Sequence, residues 1–171
     1  MIRTPMLSTR EEMRRDYDAI GVVHQAAFGR SAEAALVERL RDNGLIVVSM
    51  VAEMNDAIIG NVVFSALSIE PGATVAVALA PAAVLPPYQR LGIGTKLISA
   101  GLNLCRRRSV DAAIVLGDPQ YYQRFGFSSA LTSGLTSRYA GRHWMALELV
   151  PHALAGVAAV VAYPGAFTTV D

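Results

Sequence analysis

The chain has 171 residues, 53% of them hydrophobic, which excludes a disordered polypeptide and is enough for one domain with a sizeable core. Lysine and arginine total 15 against 14 aspartate and glutamate, a formal net charge of +1, so the chain lacks the positive excess that general affinity for nucleic acid needs. Cys105 is the only cysteine, which excludes an intrachain disulfide.

The N-terminal stretch MIRTPMLSTREEMRRD contains no apolar run resembling a signal peptide, and a short strand is expected over Ile2 to Leu7. From about Arg14 to Phe28, Tyr17, Ile20, Val23, His24 and Ala27 recur at helical spacing. Gly29 stops that helix and Ser31 is placed to cap the next, which buries Ala35, Leu36 and Leu40 and ends at Gly44. LIVVSMVAE and AIIGNVVFSALSIE are β-branched runs joined as a hairpin through Met54-Asn55-Asp56. A third strand is expected over Thr74 to Leu85, after the turn at Glu70-Pro71-Gly72.

Gly92 to Arg108 is the longest helical pattern, and Cys105 falls on its apolar face as a small buried residue. DAAIVLG reads as a buried strand ending at Asp118-Pro119, with a short helix to Phe125. Within the ambiguous remainder, HWMALELV is the clearest strand, and ALAGVAAVVAY is far short of the roughly 20 residues that cross a bilayer. The arginines of CRRRS, residues 105–109, read as a solvated helix end favoured by the helix dipole. Helices interleaved with a mixed sheet make an α/β domain over residues 1–171, with a cytoplasmic location expected.

The stretch PPYQRLGIG, residues 86–94, needs more explanation than a turn requires. A Walker loop would place Ser or Thr directly after Gly-Lys, but here Thr95 precedes Lys96 and Leu97 follows. A dinucleotide fingerprint would have a third glycine where Leu97 stands. What remains is a simpler anion site. Gly92 and Gly94 allow close approach to the main chain, the following helix offers unpaired N–H groups, and Arg90 adds charge. Pro86 and Pro87 cannot donate to a sheet, so strand pairing should end before them. The same features suit a plain strand-to-helix turn, and the loop alone does not separate the two.

A second stretch, VLGDPQYYQRFGF at 115–127, sets Tyr121 and Tyr122 on one helical turn, with Asp118 as cap, Pro119 first and Gly126 at the exit. Aromatic packing with Phe125 and Phe127 is the competing explanation for the tyrosines. Together the two stretches resemble the GNAT superfamily of acetyl-CoA-dependent N-acetyltransferases, most of all its bacterial YhbS-type branch. Gln89, Gly92 and Gly94 match the Gln/Arg-x-x-Gly-x-Gly/Ala pyrophosphate motif, and Tyr122, Gly126 and Phe127 match the later aromatic signature.

The resemblance covers about residues 2–150. It implies a mixed, mostly antiparallel sheet flanked by helices, with splayed strands around the coenzyme. Acetyl-CoA is the implied acyl donor, without a metal. The pantetheine arm would pair with Ala83, Val84 and Leu85, and the pyrophosphate would lie on Gln89, Arg90, Leu91, Gly92, Ile93, Gly94 and Thr95. Tyr122 is the implied general acid, and the reaction a direct attack by a primary amine in a ternary complex. A small-molecule or peptide amine is the expected acceptor, with neither nucleic acid nor membrane as partner and a homodimer left open.

The chain departs from many relatives before the loop, where VAVALAPAAVLP carries no ionisable side chain and Pro81 is placed to mark a bulge. Glu53, Glu70 and His24 are the candidate bases elsewhere, each better explained by a surface or core role, so none is assigned as catalytic and a water chain is the alternative. A protein that binds coenzyme A as a regulator or sensor, with turnover weak or lost, is the alternative function.

Overall fold

The computed structural model describes residues 6–170. In chain order it forms β1 (Leu7–Glu11), α1 (Tyr17–Phe28), α2 (Ala32–Asp42), β2 (Ile46–Met54), β3 (Ala57–Glu70), β4 (Ala76–Val84), α3 (Ile93–Arg107), β5 (Ala112–Leu116), α4 (Pro119–Tyr122), β6 (Leu135–Thr136), β7 (Trp144–Glu148) and β8 (Ala159–Ala162). The order expected from sequence holds. Residues Ile2 to Pro5 of the expected first strand lie outside the described residues, and the strand that is described begins where that expectation ended, at Leu7.

The sheet runs β1-β2-β3-β4-β5-β7, with β4 and β5 parallel and the other neighbours antiparallel. The last residues of the long β3, Ser68 to Glu70, leave this sheet to pair with β8, which also pairs with β6. Both faces of the main sheet are covered, which is why its strands read as near-continuous apolar runs. Val63 and Ile114 point into one layer with Ile20 of α1 and Leu36 and Leu40 of α2. Val62, Phe64 and Val115 point into the other with Leu97, Ile98 and Leu102 of α3. Each of these fully buried aliphatic side chains stabilises by roughly 1.5–3 kcal/mol.

The seat of α3 explains one glycine. A Cβ on Gly101 would stand 2.2 Å from Phe64 Cε2, so only glycine lets the helix lie this close to β3. At the far end of α3, Arg108 is not merely solvated as the sequence suggested. Its guanidinium donates to Val47 O at 2.6 Å and to Glu11 at 2.9 Å, tying the helix to β2 and the β1 edge.

Three local expectations need correction. Met54 belongs to β2, so the hairpin turn is Asn55-Asp56 alone, both residues left-handed at φ 50° and 65° as a two-residue hairpin turn demands. Ser31 stands at the start of α2 but its side chain caps nothing. In α2 the buried small residue is Ala34 rather than Ala35, and Val37 joins Leu36 and Leu40. The apolar face is rotated because Glu33 also turns inward, which a hydrophobic pattern does not anticipate.

One feature of the sheet creates the site. Parallel pairing of β4 with β5 spans only Ala76↔Ala112 to Ala78↔Ile114. Beyond it the register against β3 slips, from Phe64↔Leu79 to Val62↔Ala82, so β4 carries one extra residue around Ala80-Pro81. This is the bulge that Pro81 suggested; a residue without an N–H is tolerated where the ladder is already broken. From there β4 stays with β3 to Val84 while β5 turns off after Leu116, and the two strands part.

Candidate active site

The loop leaving β4 is built to hold an anion. Pro86–Tyr88 form a single helical turn, and Gln89 donates its side-chain amide to Val84 O at 2.9 Å, fastening the loop to the strand end. Arg90 and Gly92 are left-handed, at φ 62° and 81°, which folds the loop into a concave turn of the kind that binds anions. The main-chain N–H groups of Tyr88, Gln89 and Lys96 have partners, whereas those from Arg90 through Thr95 find none among the described residues. They stand at the positive end of α3, where a phosphate is favoured. Space in front of Gly92 is open, with nothing within 4 Å of where a Cβ would be. A cavity of about 260 Å³ lies over this loop, lined by Arg90, Gly92, Gly94 and Thr95 together with Tyr121 and Arg124, and by no acidic residue.

The other residues named from sequence divide. Ile93 is buried in the core beside α3, so it offers only its N–H, and the Leu91 side chain points out to solvent. Ala83 and Val84 lie on the part of β4 that has left β5. Leu85 has both main-chain groups spent: its N–H donates to Ile59 O and its carbonyl accepts from Tyr88 N–H. The Val84 carbonyl is taken as well, by the Gln89 amide, so the segment beyond β5 is Ala82 to Val84 short of that carbonyl.

The second stretch closes over the first. Asp118 accepts from Gln120 N–H at 3.0 Å, Pro119 opens α4, and Gly126 ends the turn at φ 96°. Tyr121 OH lies 3.3 Å from Thr95 Oγ1, so the two motifs meet through a side chain that pattern reading had set down to packing. The Tyr122 ring rests edge-on against Tyr121 and Phe127. Gly117 makes room for it, since a Cβ there would fall 2.4 Å from Tyr122 Cε2. Burial, with Tyr121 adding to it, pushes the Tyr122 phenol up to about 12.

Two cavities flank Tyr122. One, of about 310 Å³, runs along Ala82, Ala83, Val84 and Gly94, with Phe28 of α1, Val62 of β3 and Leu97 of α3 as its other walls. The other, of about 340 Å³, lies across the Ala80-Pro81 bulge under α2 and the C-terminal segment. Phe28, Ala82 and Tyr122 line both, so the two cavities share these side chains as a common wall.

None of the candidate bases lines either cavity, and His24 Nδ1, which lacks a partner among the described residues, is sealed in the core. Glu53 is held by Arg10, which also grips Asp16 and keeps that carboxyl below its usual range. Glu70 accepts from Ser68 Oγ at the distant end of β3. His24 is fully buried, bonded to Asn61 Oδ1 at 2.8 Å, and burial lowers its pKa so that it stays neutral. The carboxylate that does line the second cavity is Glu33, which sequence reading passed over because a glutamate in a helix reads as solvated. Trp144 is core, its Nε1–H donating to Tyr163 OH at 2.9 Å, and Cys105 is a buried thiol pushed up to about 12 by desolvation. Among the described residues, no group of three or more His, Cys, Asp or Glu is arranged to hold a metal ion, and no helix is long and apolar enough to cross a membrane.

Comparison with known proteins agrees with this geometry. Residues 43–129 match the acetyltransferase (GNAT) domain model. The chain is 32% identical over 157 residues to the uncharacterized N-acetyltransferase YhbS of Escherichia coli K12, covering 90% of this chain and 94% of that protein. The crystal structure of Escherichia coli YhbS in complex with CoA superposes with a TM-score of 0.90 at 30% identity, over 98% of this chain and 95% of that one. A GNAT family acetyltransferase from Brucella melitensis, in complex with acetyl-CoA, gives 0.81 at 30% identity, over 95% and 98%. With the parted strands, the anion loop and the family match in agreement, the chain belongs to the GNAT family of N-acetyltransferases.

Proposed function

We propose that the protein transfers an acetyl group from acetyl-CoA to a primary amine by direct attack within a ternary complex. The observation that carries this reading is that two cavities share Phe28, Ala82 and Tyr122: in this reading the one beside Ala82 to Val84 takes the pantetheine arm and the other takes the acceptor. The pyrophosphate lies on the unpaired N–H groups from Arg90 to Thr95, and the pantetheine arm runs along the edge of Ala82 to Val84. The CoA-bound and acetyl-CoA-bound relatives support it.

The reaction needs few groups. An alkylamine of pKa about 10.4 is neutral in fewer than about one molecule in a thousand at pH 7, so it must give up a proton, to water at the mouth or to a carboxylate, before it attacks. The amine nitrogen bonds to the thioester carbon, and Ala82 N–H, the first beyond Pro81, steadies the developing oxyanion. The carbon–sulfur bond then breaks, the second amine proton is lost, and the thiolate takes up one proton to leave as CoA. Tyr122 donates a hydrogen bond to that thiolate. Thiol release from acetyl-CoA over an amine panel, with CoA binding measured alongside, tests the reading. Tight CoA binding without release on any amine would favour a sensor.

A further inference from the structure

The cavity on the acceptor side has a definite chemistry. Its walls are Leu36, Ile114 and Leu116 with the aromatic rings of Tyr139, Tyr163 and Phe167. The rings are locked edge-on in series, Tyr139 to Tyr163 at 4.9 Å between centroids and Tyr163 to Phe167 at 5.4 Å. Burial pushes the Tyr163 phenol up to about 12, so it stays neutral at any physiological pH. No lysine or arginine is among the residues that line this cavity, and Glu33 is its one carboxylate.

Glu33 is unusually placed for a solvent-side helix residue. Its side chain is 7% exposed, and a lone carboxylate at that depth would be costly. Arg30 offsets the cost, donating through Nε to both carboxylate oxygens at 3.0 and 3.2 Å. Yet Arg30 is itself 56% exposed, so its charge can return to water with little penalty. The pair thus resembles a cap over a cation site: a buried acceptor of positive charge, held by a counterion that solvent can take back.

We propose that this cavity selects primary amines with an uncharged apolar or aromatic body, and that Glu33 receives their ammonium group, taking over from Arg30, and accepts the proton that the amine gives up before it attacks the thioester. The inference rests on the N-acetyltransferase reading above and deepens it to a substrate class. An α-amino acid is disfavoured, because its carboxylate would stand against Glu33 in an otherwise apolar cavity, where the cation to answer it, Arg30, lies at the solvent edge and is left 56% exposed to water.

Titration calorimetry on the CoA-saturated protein, with phenethylamine and phenylalanine as matched probes, tests this, with thiol release as a second readout. Phenethylamine is expected to bind and to react, and phenylalanine to bind weaker by about tenfold or more. Glu33→Gln should raise the Kd and KM for phenethylamine by about tenfold or more while leaving the Kd for CoA within about twofold. Arg30→Ala, on an exposed side chain, should tighten phenethylamine by removing its competitor. The inference is overturned if phenylalanine binds as well as phenethylamine, if Arg30→Ala weakens the amine, or if Glu33→Gln leaves it unchanged in a protein that still binds CoA. A wild-type protein that binds no CoA would instead overturn the donor-site reading, and the acceptor class with it.

Discussion

Replacing Tyr122 by phenylalanine removes one oxygen atom and leaves the ring in its seat against Gly117, Tyr121 and Phe127. The expected cost follows from the phenol's acidity. Burial holds it near 12, whereas a free thiol titrates near about 8.5, so full proton transfer to the thiolate is uphill by roughly 5 kcal/mol. Tyr122 therefore acts in the transition state mainly as a hydrogen-bond donor to a charged sulfur, a contact of about 1.5–3 kcal/mol. The expected loss in kcat is about 10- to 150-fold, smaller than the loss of a fully transferring acid would be. KM for acetyl-CoA should stay within about twofold, because the ring and the phosphate loop are untouched. Continuous detection of released thiol at saturating amine measures both constants. An unchanged kcat, or a loss confined to KM, would refute the role given to the phenol.

Further expectations follow from single contacts. Gly117→Ala places a methyl group 2.4 Å from the Tyr122 ring, so kcat should fall at least as far as in Tyr122→Phe, with a stability loss of about 1–3 kcal/mol by denaturant unfolding. Gly92→Val forces a β-branched residue to φ 81°, at a cost of about 1–2 kcal/mol, and should raise the Kd for CoA by about tenfold or more in calorimetry. Cys105 should be inert to thiol reagents in the native protein and react only at the rate of unfolding. Because its folded pKa, about 12, lies above the 9.0 of an unburied thiol, the associated stability is complete below pH 9.0 and is lost as pH rises toward 12. Denaturant midpoints should therefore fall steeply above about pH 9, an effect to which the Tyr122 and Tyr163 phenols add in the same direction.

What could be read in advance was whatever depends on local rules. Asp118, Pro119 and Gly126 punctuate α4 as their residue types require, and Pro81 marks the bulge. The glycines of the loop were legible, whereas the left-handed turn at Arg90 was not, because a non-glycine residue carries no sign of it. The acceptor side was not legible either. Glu33, Phe28, Tyr139, Tyr163 and Phe167 come from separate elements and share no motif, and only the tertiary fold brings them to one cavity. Tyr121 and Arg124 were missed on the donor side for the opposite reason, since aromatic and basic residues on a short helix look like packing and solvated charge. Leu85 was placed in the pantetheine segment by alignment to the motif, but its main chain is spent on Ile59 and Tyr88.

Donor and acceptor cavities share Tyr122, and in the proposed reading the pyrophosphate lies on main-chain N–H groups beside Arg90 and Arg124. A crystal structure of the protein with CoA tests it most directly. The account expects the pyrophosphate on the N–H groups between Arg90 and Thr95, the pantetheine along Ala82 to Val84, and the sulfur within hydrogen-bonding reach of Tyr122 OH. A coenzyme whose phosphates sit away from that loop, or whose sulfur points away from the Glu33 cavity, would contradict it.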